Sequence, residues 1–202
     1  MSSAPTLDRP FLLVVSGPSG AGKTSLARLL LERDARFERA VTATTRAPRG
    51  DEQHGVHYHF LDPETFEAGV DEGAFLEHAE VYGHRYGTPR AGVEAVLAAG
   101  RLGLLVVDVQ GVRSLRKVLA DAPWPVHYAF VRTPDLATLQ ARLEARGEDD
   151  EATIARRLEE ARAEEAEAPG FDLVVVNDDL ESAFQRLEEA VQGWTEAPPR
   201  AH

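Results

Sequence analysis

Eight consecutive residues, Gly17-Pro18-Ser19-Gly20-Ala21-Gly22-Lys23-Thr24, have the types and spacing for chemistry on phosphate. Gly17, Gly22, Lys23 and Thr24 stand where the phosphate-loop pattern requires them. Glycines let a backbone approach an anion with no Cβ in the way. A lysine at this place reaches the terminal phosphates of a nucleoside triphosphate, and the hydroxyl after it is offered to Mg²⁺. Such a turn works when it follows a strand and opens a helix, because the free N–H groups of a helix N-terminus then face the phosphate. The flanks supply both elements. Phe11–Val15 is an apolar run, β-branched at its end, and Leu26, Leu29 and Leu30 share one helical face. The stretch Gly17 to Ser25 is therefore expected to hold a triphosphate. A chance glycine-rich turn is the competing explanation, and pattern and context together disfavour it.

The rest of the chain must position this loop. A helix should run from it to about Arg33. Three more apolar runs read as core strands: Leu104–Asp108 with an acid at its end, Tyr128–Val131, and Leu173–Val176 leading into Asn177-Asp178. Helical spacing lies between them: Val93 to Gly100, Val112 to about Leu119, and a helix opened by Thr133-Pro134-Asp135, with a cap residue and proline first, that stops at Gly147. The last helix carries Leu180, Phe184, Leu187, Val191 and Trp194. Strands alternating with helices predict an α/β fold, a parallel sheet flanked by helices with right-handed crossovers. Ligands belong beyond the C-terminal strand ends, where the loop, Asp108 and Asn177 fall.

Residues 39–60 are rich in Thr, Arg, Gly and His, a polar character unsuited to a core element. Val56, Tyr58 and Phe60 alternating with His57 and His59 read as a half-exposed strand. Phe66 and Val70 then suggest a short helix before Phe75-Leu76-Glu77. Residues 41–90 are thus expected to form an insertion with a small mixed β-sheet of its own, and 10–40 with 91–195 the core. Residues 144–167 hold ten acids and should be a solvated, mobile helical segment that Pro169-Gly170 ends. Residues 1–9 and 196–202 look like loose tails.

Composition excludes several classes. A net charge of −12 argues against a protein that wraps nucleic acid, although local arginines still permit an anionic substrate. With no cysteine there is no disulfide, zinc–thiolate site or cysteine nucleophile, which suits the cytoplasm. No apolar run has the length of a membrane span, and the N-terminus is not built as a secretory signal. Oligomeric state is not legible.

Beyond the loop, Thr44-Thr45-Arg46-Ala47-Pro48-Arg49 followed by Glu52, Gly55 and Tyr58 resembles the guanylate kinase signature. So do Phe75-Leu76-Glu77, Tyr86-Gly87-Thr88, Gln110-Gly111, Arg142-Leu143, Arg146-Gly147, Arg157-Leu158 and Asn177-Asp178, in order and spacing across roughly residues 11–192. The resemblance implies a kinase with a core, a helical lid at about 142–167 and a monophosphate-binding domain at 41–90. ATP would be the phosphoryl donor, held by Gly17 to Ser25. GMP, and dGMP, would be the acceptor. Arg46, Arg49, Tyr58 and Tyr86 would hold the GMP phosphate, which suits guanidinium forks and phenol donors. Glu77 would accept from the ring N–H and amino group of guanine, a pairing adenine cannot match. Thr42 and Thr88 would bond base or ribose. Lys23, Arg46, Arg142, Arg146 and Arg157 would stabilise the transferring group. Mg²⁺ would take Thr24, and Asp108 through water; Asp108 also falls on the GMP side. Asn177 lines the adenine pocket or caps the chain.

Three departures stand out. Val106 replaces the first acid of the family's usual Asp-x-Asp, and residues 106 and 108 of one strand would face the same side, so an acid is lost from the cleft. Asp51 replaces a usual glycine beside the arginines, and Thr42 a usual serine. They keep open a related kinase with an altered acceptor. A non-catalytic phosphopeptide-binding module of similar sequence is the other alternative, which the intact Lys23 and Thr24 disfavour. His54, His57 and His59 raise a metal site, against which stands the reading of ordinary exposed histidines.

Overall fold

Four of the helices begin on an aspartate whose carboxylate accepts from the N–H three residues on. Asp62 does so for α2 (Pro63–Asp71), Asp135 for α5 (Leu136–Arg146), Asp150 for α6 (Glu151–Glu165) and Asp179 for α7 (Leu180–Glu196), at 2.7–2.9 Å. Hydrogen bonds from that residue hold each of these carboxyls below its ordinary range. Such caps explain where these helices start, and Gly147, at φ 66°, ends α5. The computed structural model describes residues 6–81, 83–147 and 149–197.

The remaining elements are β1 (Leu12–Ser16), α1 (Lys23–Arg33), β2 (Phe37–Arg39), β3 (Ala43–Thr44), β4 (His59–Phe60), β5 (Phe75–Val81), β6 (His84–Pro89), α3 (Arg90–Ala98), β7 (Leu102–Val106), α4 (Val109–Val118), β8 (Val126–Arg132) and β9 (Leu173–Val176). A parallel five-stranded sheet has the order β2-β7-β1-β8-β9, and a second, mixed sheet the order β4-β3-β6-β5. In the second, β3 runs parallel to β4 and antiparallel to β6, which is antiparallel to β5. β1 is buried along its whole length, as an apolar central strand should be.

Two units emerge from the contacts. The first holds residues up to Leu12, Arg36–Leu105 and Gln110–Val126; the second holds Leu13–Ala35, Val106–Val109 and the chain from His127. Within the first, Phe66 stacks on Phe75 at 4.5 Å and Phe11 meets Phe37 edge-on. Within the second, Leu139 and Leu143 of α5 pack with Ile154 and Ala161 of α6. Each of the two leucines is almost fully buried, worth about 1.5–3 kcal/mol.

Several local expectations give way. The strand foreseen over Val56–Phe60 is only His59–Phe60; Val56 lies in a turn and is 62% exposed. The polar stretch 39–60 does supply core: Ala43, Thr44 and Arg46 are buried there. β7 ends at Val106, so Asp108 lies in the connection to α4 and does not share a strand face with Val106. α4 itself starts at Val109, before the expected Val112. Asp135, not Thr133, caps α5, which leaves Pro134 outside the helix. The acid-rich segment includes the end of α5 and the whole of α6, with Ile154 and Ala161 buried. Residues 1–5 and 198–202 of the expected tails lie outside the described residues. Of the rest, Leu7 donates its N–H to the carbonyl of Gly100 at 2.8 Å, and Glu196 is the last residue of α7.

Candidate functional site

Unlike the aspartate-capped helices, α1 starts on Gly22, with no side-chain cap and no acid in its first turn. Its first N–H groups therefore need an anion or water. The loop before it has the left-handed backbone that glycine permits: Gly17, Gly20 and Gly22 have φ of 130°, 90° and 94°. At two of these the space is also closed. A Cβ on Gly17 would meet the Val131 carbonyl oxygen at 2.0 Å, and one on Gly22 the Asn177 amide nitrogen at 2.1 Å. Asn177, buried at the end of β9, donates through Nδ2 to the Ala21 carbonyl at 2.7 Å. It thus braces the loop at the cleft, and the cap of α7 falls instead to Asp179.

Lys23 curls over the loop. Its ammonium donates to the carbonyls of Gly17 at 2.5 Å and Pro18 at 2.8 Å. Burial lowers its pKa to about 8, against the carboxylates of Glu164 and Asp108, which raise it, and with Arg146, which lowers it. Burial in turn raises the Glu164 carboxyl, opposed by Lys23 and helped by Asp108. A cleft of about 470 Å³ opens here, lined by Ser19, Gly20, Gly22, Lys23, Thr24, Ser25, Arg142, Arg146, Asn177 and Leu180. Arg142 donates to the Asp178 carbonyl at 3.0 Å, and Arg157 to the Ser19 hydroxyl at 2.9 Å. The loop, Lys23, Thr24, Asp108, Asn177 and the three arginines of α5 and α6 are thus gathered in the second unit.

The first unit gathers another set. Arg46 is buried and forks onto Glu52, with Nη1 and Nη2 each 2.9 Å from a carboxylate oxygen. That bond, with the Tyr86 hydroxyl, keeps the guanidinium protonated beyond its already high range. Arg46 and the N–H of Arg49, 2.8 Å away, hold the Glu52 carboxyl below its usual range. The Arg46 guanidinium lies over the rings of Tyr58 at 5.4 Å and Phe60 at 6.0 Å. Tyr58 meets Tyr86 edge-on at 6.2 Å. The Arg49 side chain is exposed. Across the small sheet Glu77 of β5 pairs with Thr88 of β6, whose buried hydroxyl donates to Glu77 at 2.6 Å. Thr42, half-buried just before β3, accepts from the His59 N–H through its carbonyl. Asp108 is not in this set; it sits beside Lys23 in the second unit.

The histidines of 54–59 serve the turn. The Nδ1 atoms of His54 and His57 accept from the N–H groups of Phe60 and Gln53, and His54 packs edge-on against His59. Among the described residues no group of three or more metal-binding side chains occurs. Two residues of the second unit were missed in sequence, Asp149 and Glu164. Arg157, Ala161 and Glu164 share one face of α6, so the signal lay in the spacing of a buried alanine between them, hidden among ten acids.

A phosphate-binding loop opening a helix of an α/β sheet, with a half-buried lysine and arginines about it, defines the class: a phosphate-loop nucleotide-binding protein. The sequence matches the family described as guanylate kinase over residues 9–193. It is 50% identical over 184 residues to the guanylate kinase of Anaeromyxobacter dehalogenans, covering 90% of this chain and 79% of that one. With the guanylate kinase of Sphingopyxis alaskensis it shares 46% identity over 176 residues, 87% of this chain and 79% of the other. The crystal structure of guanylate kinase from Anaplasma phagocytophilum superposes with a TM-score of 0.69 at 29% identity, covering 97% of this chain and 90% of that one. The chain belongs to the guanylate kinase family.

Proposed function

We propose that this chain is a guanylate kinase that transfers the terminal phosphoryl group of ATP to GMP, and to dGMP. A phosphate oxygen of GMP attacks the γ-phosphorus in line, the bond to the β–γ bridging oxygen breaks, and ADP and GDP result. The acceptor's own phosphate is the nucleophile, so the protein supplies position and charge rather than a general base. The uncapped N-terminus of α1, with Lys23 folded over it, carries this reading. A phosphopeptide-binding module would have no use for it.

In this reading Gly17 to Ser25 and Asn177 hold ATP, with the Asn177 amide fixing the loop. Lys23, Arg142, Arg146 and Arg157 take up charge on the transferring group. Arg46, Arg49, Tyr58 and Tyr86 hold the GMP phosphate, and Glu77, aligned by Thr88, reads guanine with Thr42. Glu52 keeps Arg46 in place. The Thr24 hydroxyl and the Asp108 carboxylate are hard oxygen donors that fit Mg²⁺, which keeps few protein ligands beside substrate phosphates. Bound there, the ion neutralises phosphate charge. Asp108 stands near Lys23, which supports this role over one on guanine. Residues 10–40 and 91–195 form the core, 41–90 the acceptor domain, and about 142–167 the lid. The setting is the cytoplasm, where both nucleotides are found; no described helix is long and apolar enough to cross a membrane.

A coupled assay of ADP release, with ATP and a panel of GMP, dGMP, AMP, CMP and UMP, tests this. GMP should be preferred, and Lys23→Ala should abolish transfer with the fold retained. Full turnover in that variant refutes the kinase reading. Preference for another monophosphate would favour the altered acceptor that Val106 and Asp51 leave open.

A further inference from the structure

The ion pairs along α6 are of two kinds. Arg156–Glu160 and Arg162–Glu159 are exposed, with side chains 62–77% accessible, and such pairs hold little in place. Arg157–Asp149 is sheltered: Arg157 is 19% and Asp149 9% accessible, with Nη2 at 3.0 Å from Oδ1. The other edge of the same guanidinium, Nη1, donates to the Ser19 hydroxyl of the phosphate loop. A planar guanidinium held at one edge has its remaining donors aimed.

Local structure explains how the two residues meet. Asp149 immediately precedes Asp150, the cap of α6, whose carboxylate accepts from the Thr153 N–H at 2.8 Å. Long helical side chains lean toward the N-terminus, and Arg157 reaches back to the carboxylate eight residues before it. Asp149 Oδ2 is buried and accepts no hydrogen bond from the described residues. Stability alone would favour pairing that oxygen or exposing it. A carboxylate kept in this state for the sake of one guanidinium points to placement.

We infer that Asp149 is a positioning residue for phosphoryl transfer: it holds Arg157 over the phosphate loop, so that Nη1 can exchange the Ser19 hydroxyl for a phosphate oxygen of the donor. The inference rests on the reading of the loop as the ATP site. Loss of the brace should slow the chemical step and leave the acceptor site alone, since a misplaced catalytic group costs up to about a hundredfold.

The test is a double-mutant cycle with turnover, both Michaelis constants and melting temperature measured for each protein. Asp149→Ala should lower kcat on the order of 10- to 100-fold, with KM for GMP within about twofold. Asp149→Asn, whose amide oxygen still accepts, should recover most of the loss. In an Arg157→Ala background, Asp149→Ala should change kcat by less than about twofold. A merely structural aspartate would lower the melting temperature and act equally in both backgrounds. Parental turnover in Asp149→Ala, or an undiminished loss without Arg157, overturns the inference. If Asp149→Ala fails to fold, Asp149→Asn carries the cycle, with a smaller loss that vanishes without Arg157; parental behaviour then overturns it. A crippled Arg157→Ala beside an unaffected Asp149→Ala removes this inference alone, whereas full turnover in Arg157→Ala removes the placement of Arg157 at the donor as well.

Discussion

Lys23 should take up a proton when ATP binds. Its pKa in the free protein is lowered to about 8, first because burial penalises the ammonium, with Glu164 and Asp108 opposing that and Arg146 adding to it. A triphosphate brings several negative charges against the same nitrogen and restores an ordinary lysine range. With the pKa at about 8 in the free protein and in the ordinary lysine range when ATP is bound, the free ammonium is only partly formed near neutral pH and less so as pH rises. ATP binding should therefore take up a fraction of a proton, larger at pH 8.5 than at pH 7.5. Titration calorimetry in buffers of different ionisation enthalpy reads this number directly, as the slope of observed heat against buffer heat. Lys23→Ala supplies the control and should remove the pH-dependent part. Equal uptake at both pH values, or the same uptake in Lys23→Ala, refutes the assignment. The same shift bears on stability without nucleotide. Between about pH 8 and 10.5 the unfolded chain holds the proton that native Lys23 has lost, so this group's contribution to stability rises with pH across that window.

Arg46→Ala and Arg49→Ala should each weaken GMP binding on the order of 10- to 100-fold, with a smaller effect on ATP. Only Arg46→Ala should also lower the melting temperature, because it strips Glu52 of its forked partner, while the Arg49 side chain is exposed; equal losses for both nucleotides in calorimetry would place these residues outside the acceptor site. Glu77→Gln replaces one of two acceptors by a donor and should lower the GMP-to-AMP ratio of specificity constants on the order of tenfold or more. Thr88→Ala, which removes one hydrogen bond to Glu77, should lower it less, and an unchanged ratio in both would show that another residue reads the base.

The sequence by itself determined the phosphate loop, the α/β class and the family. Each rests on local patterns: glycines where the backbone must turn left-handed, apolar runs, and motifs whose order survives along the chain. It also foretold where α5 stops, because a left-handed Gly147 acts within a single turn. The short strands β2 and β3 were not legible. Three and two residues give no period, and of β2 only Phe37 is buried. Arg46 was legible as a phosphate ligand but its burial was not, because burial of arginine depends on a partner, and only the fold supplies Glu52 and the aromatic rings beside it. Asn177 was left between two roles until β9 carried it to Ala21, 156 residues away in sequence. The lowered pKa of Lys23 and the brace from Asp149 to Arg157 to Ser19 belong to the tertiary structure alone. Charge–charge energies and desolvation depend on distance and burial in space, and neither quantity is written in the order of residues.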